Sequence, residues 1–116
     1  MDFIAYHVGG LDHIQHAQGA DTDDNDKKAK ILDDYLTQVF KSLDSNTTLF
    51  IFGDHGCKEN GAHGDNTPME RTSGFFVYAK NQTFLGPQTE DWAYGANLTP
   101  AFAQSTDTPV PFMSEG

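Results

Sequence analysis

The stretch Leu49-Phe50-Ile51-Phe52-Gly53-Asp54-His55-Gly56 joins four apolar residues to a polar pair that lies between two glycines. A short, continuous apolar run closed by glycine is typical of a buried strand in a parallel sheet. Residues 3–8 (Phe-Ile-Ala-Tyr-His-Val) have the same form and end at Gly9-Gly10. The run Phe75-Phe76-Val77-Tyr78 is a third candidate strand. The sequence therefore predicts a sheet whose first two strands each run directly into polar residues.

A helix is predicted between the first two candidate strands. Apolar residues recur there at steps of three and four, which places them on one face of a helix: Ile31, Leu32, Tyr35, Leu36, Val39, Phe40 and Leu43. Asp44-Ser45-Asn46 ends this pattern, and a weaker helical stretch lies near Leu98–Ala103. Strand, helix, strand is the order of a right-handed crossover between parallel strands. We therefore predict the α/β class with a mainly parallel sheet.

Composition limits the classes of function. Hydrophobic residues make up 37% of the 116 residues, which is enough to build a core. The net charge of -10 argues against nucleic acid or an anionic membrane surface as a direct partner, and it is compatible with binding of cations. Cys57 is the only cysteine, so an intrachain disulfide and a multi-thiolate zinc site are excluded. No apolar run approaches the roughly 20 residues that span a bilayer.

Five potential metal ligands follow the first two candidate strands: Asp12, His16, Asp54, His55 and His63. In an open parallel sheet, ligands bind beyond the carboxyl ends of the strands, so we expect these side chains to meet at one edge. Asp12 and His16 are spaced i, i+4, so that one turn of helix or a tight loop points both side chains the same way. Imidazole and carboxylate groups are good zinc ligands. Five of them exceed one four-coordinate site and suit two neighbouring divalent ions.

The remaining polar residues have simpler explanations. His7, His13 and Asp65 are interpreted as turn residues, and Cys57 as a small neighbour of the site. The acidic segment 21–26 lacks the glycine and the glutamate of a calcium-binding loop, so we interpret it as a solvated loop that supplies an Asp to cap the next helix.

The order of these motifs resembles one enzyme family. The segment 7–16 (HVGGLDHIQH) is similar to the "H-x-x-G-x-D-H-x-x-H" segment of the glycosylphosphatidylinositol (GPI) ethanolamine phosphate transferases. Residues 53–56 (GDHG) and 60–64 (NGAHG) look like their "G-D-H-G…N-G-x-H-G" segment. The tail, with Leu98-Thr99-Pro100, Pro109-Val110-Pro111-Phe112 and Gly116, resembles their ending. The member that acts on the third mannose is the most similar, with the second-mannose member as the alternative.

This resemblance implies a fold and a ligand set. Residues 1–116 would be the C-terminal portion of a single alkaline-phosphatase-like catalytic domain, a three-layer sandwich with a mainly parallel sheet. Asp12, His16 and His63 would hold one zinc ion. Asp54 and His55 would hold the other, together with an acidic residue and a nucleophilic Thr that the family places before the position of Met1. By this comparison the chain alone should bind metal without turnover.

The resemblance also implies a reaction and a location. Phosphoethanolamine would pass from phosphatidylethanolamine to a mannose of the GPI precursor, at the luminal face of the endoplasmic reticulum membrane, in multi-pass membrane proteins. Three N-glycosylation sequons agree with that location: Asn46-Thr47-Thr48, Asn81-Gln82-Thr83 and Asn97-Leu98-Thr99. Two alternatives stay open. One is a phosphodiesterase, sulfatase or phosphoglycerate mutase of the same superfamily, and the other is a catalytically inactive metal-binding fragment.

Overall fold

The computed structural model describes residues 3–80 and 94–110. Its elements, in chain order, are the helices and strands α1 (Gly10–Gln18), α2 (Asp23–Ser42), β1 (Thr48–Phe52), α3 (Pro68–Arg71), β2 (Phe75–Ala79) and α4 (Leu98–Ser105), with a 3₁₀ turn at Gly95–Asn97 before α4. The chain divides into two compact units. The larger unit is His7–Thr83, and the smaller unit combines Met1–Tyr6 with Phe84–Gly116. The class predicted from sequence, a mixture of helix and strand, is confirmed.

Helix α2 forms where its apolar stripe predicts it, and it starts a few residues earlier. Thr22 is its N-cap and accepts a hydrogen bond from the backbone N–H of Asn25 at 3.3 Å, so the cap is this Thr and not an Asp of the acidic segment. Three aspartates occupy the first turn, where the helix dipole favours negative charge. Phe40, near the C-terminal end of the stripe, packs against the sheet: its ring lies edge-on to Phe76 and Tyr78, with centroids 6.1 and 5.0 Å away, whereas Ile31 and Tyr35 are exposed.

The turn after α2 is held by Asp44. Its Oδ1 accepts hydrogen bonds from the backbone N–H of Asn46 at 2.9 Å and from the Thr47 hydroxyl at 2.7 Å. The Thr47 hydroxyl is the main cause of the lowered pKa of Asp44, because it stabilises the charged carboxylate. The chain passes from this turn directly into β1.

Strands β1 and β2 pair antiparallel, with Thr48 opposite Ala79 and Phe52 opposite Phe75. Both strands lie where the sequence predicted them. The parallel arrangement predicted for the sheet is wrong for the described residues, whose sheet has these two strands in antiparallel order. The physical reason is the connection: residues 53–74 contain only a one-turn helix, so the chain returns alongside β1 in the opposite direction without a crossover helix.

The strand predicted for residues 3–8 is also wrong. This segment has no regular secondary structure, and the side chain of Ile4 is 89% exposed. An apolar run becomes a strand only when a neighbouring strand satisfies its backbone groups, and within the described residues the run has no such partner. The strand–helix–strand unit predicted for residues 3–52 therefore lacks its first strand. The described elements in this range are α1, α2 and β1.

The smaller unit is built around α4, which confirms the helical stretch expected near Leu98–Ala103. Phe3 packs on Phe102 with ring centroids 5.7 Å apart, and Ala103 is buried. Thr106 ends the helix, and its hydroxyl donates to the carbonyl of Phe102 at 2.9 Å. In the parts of the chain that the structure describes, no helix has both the length and the apolar character needed to cross a bilayer.

Candidate metal centre

Helix α1 carries the first two predicted ligands. Asp12 lies in its first turn and His16 in its last, one helical turn apart, so both side chains leave the same face. The distance from Asp12 Oδ1 to His16 Nε2 is 3.4 Å. The helix ends at Gly19, whose φ of +94° is a backbone conformation that glycine adopts without strain. Helix α1 therefore presents one carboxylate and one imidazole as a fixed pair.

His63 approaches this pair from a loop 47 residues further along the chain. Its Nε2 is 3.3 Å from Asp12 Oδ1 and 2.9 Å from His16 Nε2. Three potential ligand atoms, one oxygen and two nitrogens, thus face one another within a few ångströms. The structure brings together three residues that sequence analysis selected from separate segments.

His55 extends the cluster. Its ring stacks on that of His63, with centroids 3.9 Å apart and planes inclined by 27°. One ligand atom from each of Asp12, His55 and His63 lies within 4.8 Å of the others. His55 Nδ1 is 2.9 Å from the carbonyl oxygen of Gly56. Because a carbonyl oxygen only accepts, this bond keeps the ring proton on Nδ1 and leaves the lone pair of Nε2 free for a ligand.

Within the described residues, Asp54 is linked to the cluster through His55. Its Oδ1 accepts from the backbone N–H of His55 at 3.1 Å, and its Oδ2 is 3.8 Å from His55 Nε2. The side chain is 71% exposed. Asp54 and His55 therefore form a second pair beside the Asp12–His16–His63 triad, and Asp54 is the most open of the five residues.

Gly61 lets the His63 loop dock on α1. A Cβ at position 61 would lie 1.8 Å from the carbonyl oxygen of Gln15, and the φ of +80° also favours glycine. A tight turn surrounds it, in which Lys58 N donates to Ala62 O at 2.9 Å. The backbone N–H of Ala20 binds the carbonyl of Glu59 at 2.9 Å and fixes the other side of the contact. His63 reaches Asp12 because this loop lies directly against the helix.

Glu70 holds the chain that follows His63. Its carboxylate accepts from the backbone N–H of Asp65 at 3.0 Å, from the backbone N–H of Thr67 at 3.3 Å and from the Thr67 hydroxyl. Lys58 Nζ lies 3.7 Å from Glu70 Oε1 and forms an ion pair with Asp65. The Thr67 hydroxyl is the main cause of the lowered pKa of Glu70, and the Asp65 hydrogen bond is the main cause of the raised pKa of Lys58.

Sequence analysis did not identify Glu70 or Lys58, and it included Gly61 only as part of the motif at residues 60–64. A signal for Glu70 was present: Thr67-Pro68-Met69-Glu70 has the spacing of a capping box with proline at the first helical position, and the structure contains that box. The interpretation of Asp65 as a turn residue agrees with its backbone bond to Glu70. His13, interpreted as a turn residue, lies instead within α1, where its backbone N–H bonds to Gly9, and its side chain is exposed.

The donor set fits a zinc ion. Zinc bonds of about 2.0–2.2 Å in tetrahedral geometry separate neighbouring ligand atoms by about 3.3–3.6 Å. The two distances from Asp12 Oδ1 to the imidazole nitrogens, 3.4 and 3.3 Å, match this separation. The distance of 2.9 Å between the two imidazole nitrogens is shorter and is that of a hydrogen bond between the rings.

Comparison with known proteins gives the family. Residues 1–78 match the model of the type I phosphodiesterase / nucleotide pyrophosphatase family, and this segment contains all five candidate ligands. The chain belongs to this family. It is similar to GPI ethanolamine phosphate transferase 3, catalytic subunit, of Mus musculus, with 28% identity over 117 residues that cover 99% of the chain and 11% of the relative. No solved structure matches the chain significantly.

Two fungal relatives extend the comparison. GPI ethanolamine phosphate transferase 3 of Schizosaccharomyces pombe is 29% identical over 119 residues, covering all of the chain and 13% of the relative. GPI ethanolamine phosphate transferase 2 of Yarrowia lipolytica is 38% identical over 89 residues, covering 77% of the chain and 10% of the relative. The resemblance stated from the motifs is therefore confirmed. The chain spans about a tenth of the length of these relatives.

Proposed function

We propose that this chain supplies zinc ligands to the active site of a phosphoethanolamine transferase in GPI-anchor biosynthesis. The observation that carries the proposal is the convergence of Asp12, His16 and His63, with interatomic distances of 2.9 to 3.4 Å, in a chain whose relatives bear that name. The proposed donor is phosphatidylethanolamine and the proposed acceptor is a mannose of the GPI precursor. The proposed fold of the complete catalytic domain is the alkaline-phosphatase-like three-layer sandwich.

The ligands divide into two groups in this proposal. Asp12, His16 and His63 would hold one ion, and Asp54 with His55 would contribute to a second. Bound divalent ions would supply Lewis-acid stabilisation of the phosphoryl oxygens and would lower the pKa of a hydroxyl.

The chain's own residues prepare the site. The Gly56 carbonyl fixes the His55 tautomer and leaves the lone pair of Nε2 free for a ligand. Asp12 faces both His16 and His63, so one carboxylate offsets the positive charge that would gather there. The exposed Asp54 leaves the second group open to an incoming phosphoryl group.

The proposed location is the luminal face of the endoplasmic reticulum membrane, as part of a membrane protein that handles both lipids. The net charge of -10 agrees with a partner other than nucleic acid, since the phosphate backbone would be repelled. The sequon at Asn46 lies in the exposed turn between α2 and β1, where a glycan could be attached.

A second candidate is hydrolysis of a phosphodiester, with water as the acceptor. It is favoured by the description of the matching family, which names phosphodiesterases and nucleotide pyrophosphatases. The same ligands would serve that reaction, so the acceptor distinguishes the two candidates.

A chimera tests the proposal. Residues 1–116 replace the corresponding segment of the S. pombe relative, and transfer of labelled phosphoethanolamine to the GPI precursor is measured in membranes. We expect transfer by the chimera and none when His63→Ala is added, while His13→Ala, an exposed histidine of α1, keeps transfer. A well-folded chimera that releases phosphoethanolamine to water without transfer supports the hydrolase instead. Transfer that survives His63→Ala contradicts both.

A further inference from the structure

The carboxylate of Glu70 is the most deeply buried ionisable group described, with a side chain only 2% exposed. It belongs to α3, a helix of four residues. A capping box stabilises the first turn of a helix, and α3 has no further turn to stabilise. Burial of a carboxylate is costly unless hydrogen bonds satisfy it, and one of the bonds that satisfy Glu70 comes from Asp65, which lies outside α3 and its capping box.

Glu70 connects the two segments that carry the histidines of the site. Its side chain accepts the backbone N–H of Asp65, two residues after His63. Its own backbone carbonyl accepts the N–H of Gly56, the residue after His55, at 2.9 Å. Glu70 therefore hydrogen-bonds the backbone shortly after His55 and shortly after His63, the two residues whose rings stack.

Gly56 brings the first segment close enough for that bond. A Cβ at this position would lie 2.0 Å from the carbonyl oxygen of Met69 and 2.5 Å from that of Thr72, so only glycine fits against α3. Lys58 also holds the segment after His63, because its ammonium lies between the carboxylates of Asp65 and Glu70. Among the described residues, the hydrogen bonds and the ion pair of the Glu70 carboxylate are made to Lys58, Asp65 and Thr67, in a stretch that contains His63.

We propose that Glu70 is a positioning residue for the metal site: its carboxylate holds the segment after His63 so that this imidazole meets Asp12 and His16, while its backbone carbonyl holds the segment after His55. The inference rests on the proposed function in one respect, that the cluster binds metal. Metal-ligand orientation depends on such outer hydrogen bonds, whose loss typically weakens metal affinity about 10- to 100-fold.

The test compares Glu70→Gln with Glu59→Gln in the full chain. Glu59 is an exposed carboxylate of the same loop, so its substitution removes the same charge without touching the clamp. Two properties are measured at a temperature where circular dichroism shows each variant folded. One is the nuclear Overhauser contact between the His16 and His63 rings in the metal-free chain, and the other is Zn²⁺ affinity by chelator competition.

We expect Glu70→Gln to lose the ring contact and to bind Zn²⁺ about 10- to 100-fold more weakly, and Glu59→Gln to match the wild type. Wild-type ring contact and affinity in Glu70→Gln would overturn the inference. Loss of the ring contact in a chain whose wild type binds no Zn²⁺ would support the clamp and reject the proposed function. If Glu70→Gln does not fold, Lys58→Gln is measured in its place. A partial loss of the His16–His63 ring contact and of Zn²⁺ affinity, smaller than that expected for Glu70→Gln, supports the clamp. A wild-type ring contact and affinity reject it.

Discussion

Replacing Gly61 by alanine tests how the His63 loop reaches α1. Two costs act at this position. A non-glycine residue at a φ of +80° is strained by about 1–3 kcal/mol. The new Cβ would also lie 1.8 Å from Gln15 O and 2.4 Å from Gln15 C, which are backbone atoms that can move only with the helix. Overpacking of that kind costs about 1–3 kcal/mol more. The total is about 2–6 kcal/mol.

Gly64→Ala is the matched control. Gly64 has a φ of +107°, and a Cβ there meets nothing within 4 Å, so its substitution carries the backbone strain without the collision. The difference between the two variants isolates the contact with α1, at about 1–3 kcal/mol.

Urea denaturation followed by circular dichroism measures both free energies of unfolding. We expect Gly61→Ala to be the less stable variant by that difference, and to lose Zn²⁺ affinity because His63 moves away from Asp12. Equal destabilisation by the two substitutions, with equal Zn²⁺ affinity, would refute the docking of this loop on the helix.

Three further predictions concern other parts of the chain. Phe40→Ala removes the half-buried ring that α2 places against Phe76 and Tyr78. We expect the free energy of unfolding, measured by urea denaturation, to fall by about 2–3 kcal/mol, which is less than the roughly 3–5 kcal/mol of a fully buried ring. An unchanged free energy would contradict the packing of α2 on the sheet. The pKa of Glu70 is lowered in the folded chain, so its contribution to stability is present above the ordinary carboxyl pKa of about 4.3 and is lost as the pH falls through the folded value. Glu70→Gln should therefore flatten the acid limb of a melting-temperature profile, and an unchanged limb would contradict the assignment. In cells that secrete the chain, Asn46→Gln should remove one endoglycosidase-sensitive mobility shift, whereas a wild type without any shift would count against the luminal location.

Local sequence patterns predicted most of the regular structure. The apolar stripe of α2 is periodic over about three turns, and the runs at Leu49–Phe52 and Phe75–Tyr78 are rich in the aromatic and β-branched residues that favour strands. These signals lie within each segment and need no knowledge of the neighbours. The spacing of Asp12 and His16 was equally local: it predicted that both side chains point the same way, and the structure shows that a helix, α1, achieves this.

Strand pairing could not be predicted in the same way. The run at residues 3–8 has the composition of a strand, yet composition does not determine which strand would pair with it. In the structure this segment is not part of the sheet. The direction of β2 relative to β1 depends on the path of residues 53–74, which is set by contacts such as that between Gly56 and Met69. Such contacts join residues that are distant in sequence, and no periodic pattern records them.

The candidate site likewise combines features that local sequence predicts with features that depend on contacts between distant residues. Residue types and their positions after apolar runs selected five side chains, and the structure brings four of them into direct contact. The supporting residues were harder to find because a glutamate in a polar loop usually lies in solvent. Glu70 differs only through its partners, and its capping-box spacing was the one local sign of them.

The most direct test of the metal site is the zinc content of the purified chain, measured by atomic absorption after equilibrium dialysis, for wild type, His16→Ala and His13→Ala. Both histidines lie on α1, and only His16 faces Asp12 and His63. We predict that wild type and His13→Ala each retain zinc and that His16→Ala loses the ion held by the triad. A wild-type chain without zinc, or His16→Ala with undiminished zinc, would contradict the assignment of Asp12, His16 and His63 as a metal centre.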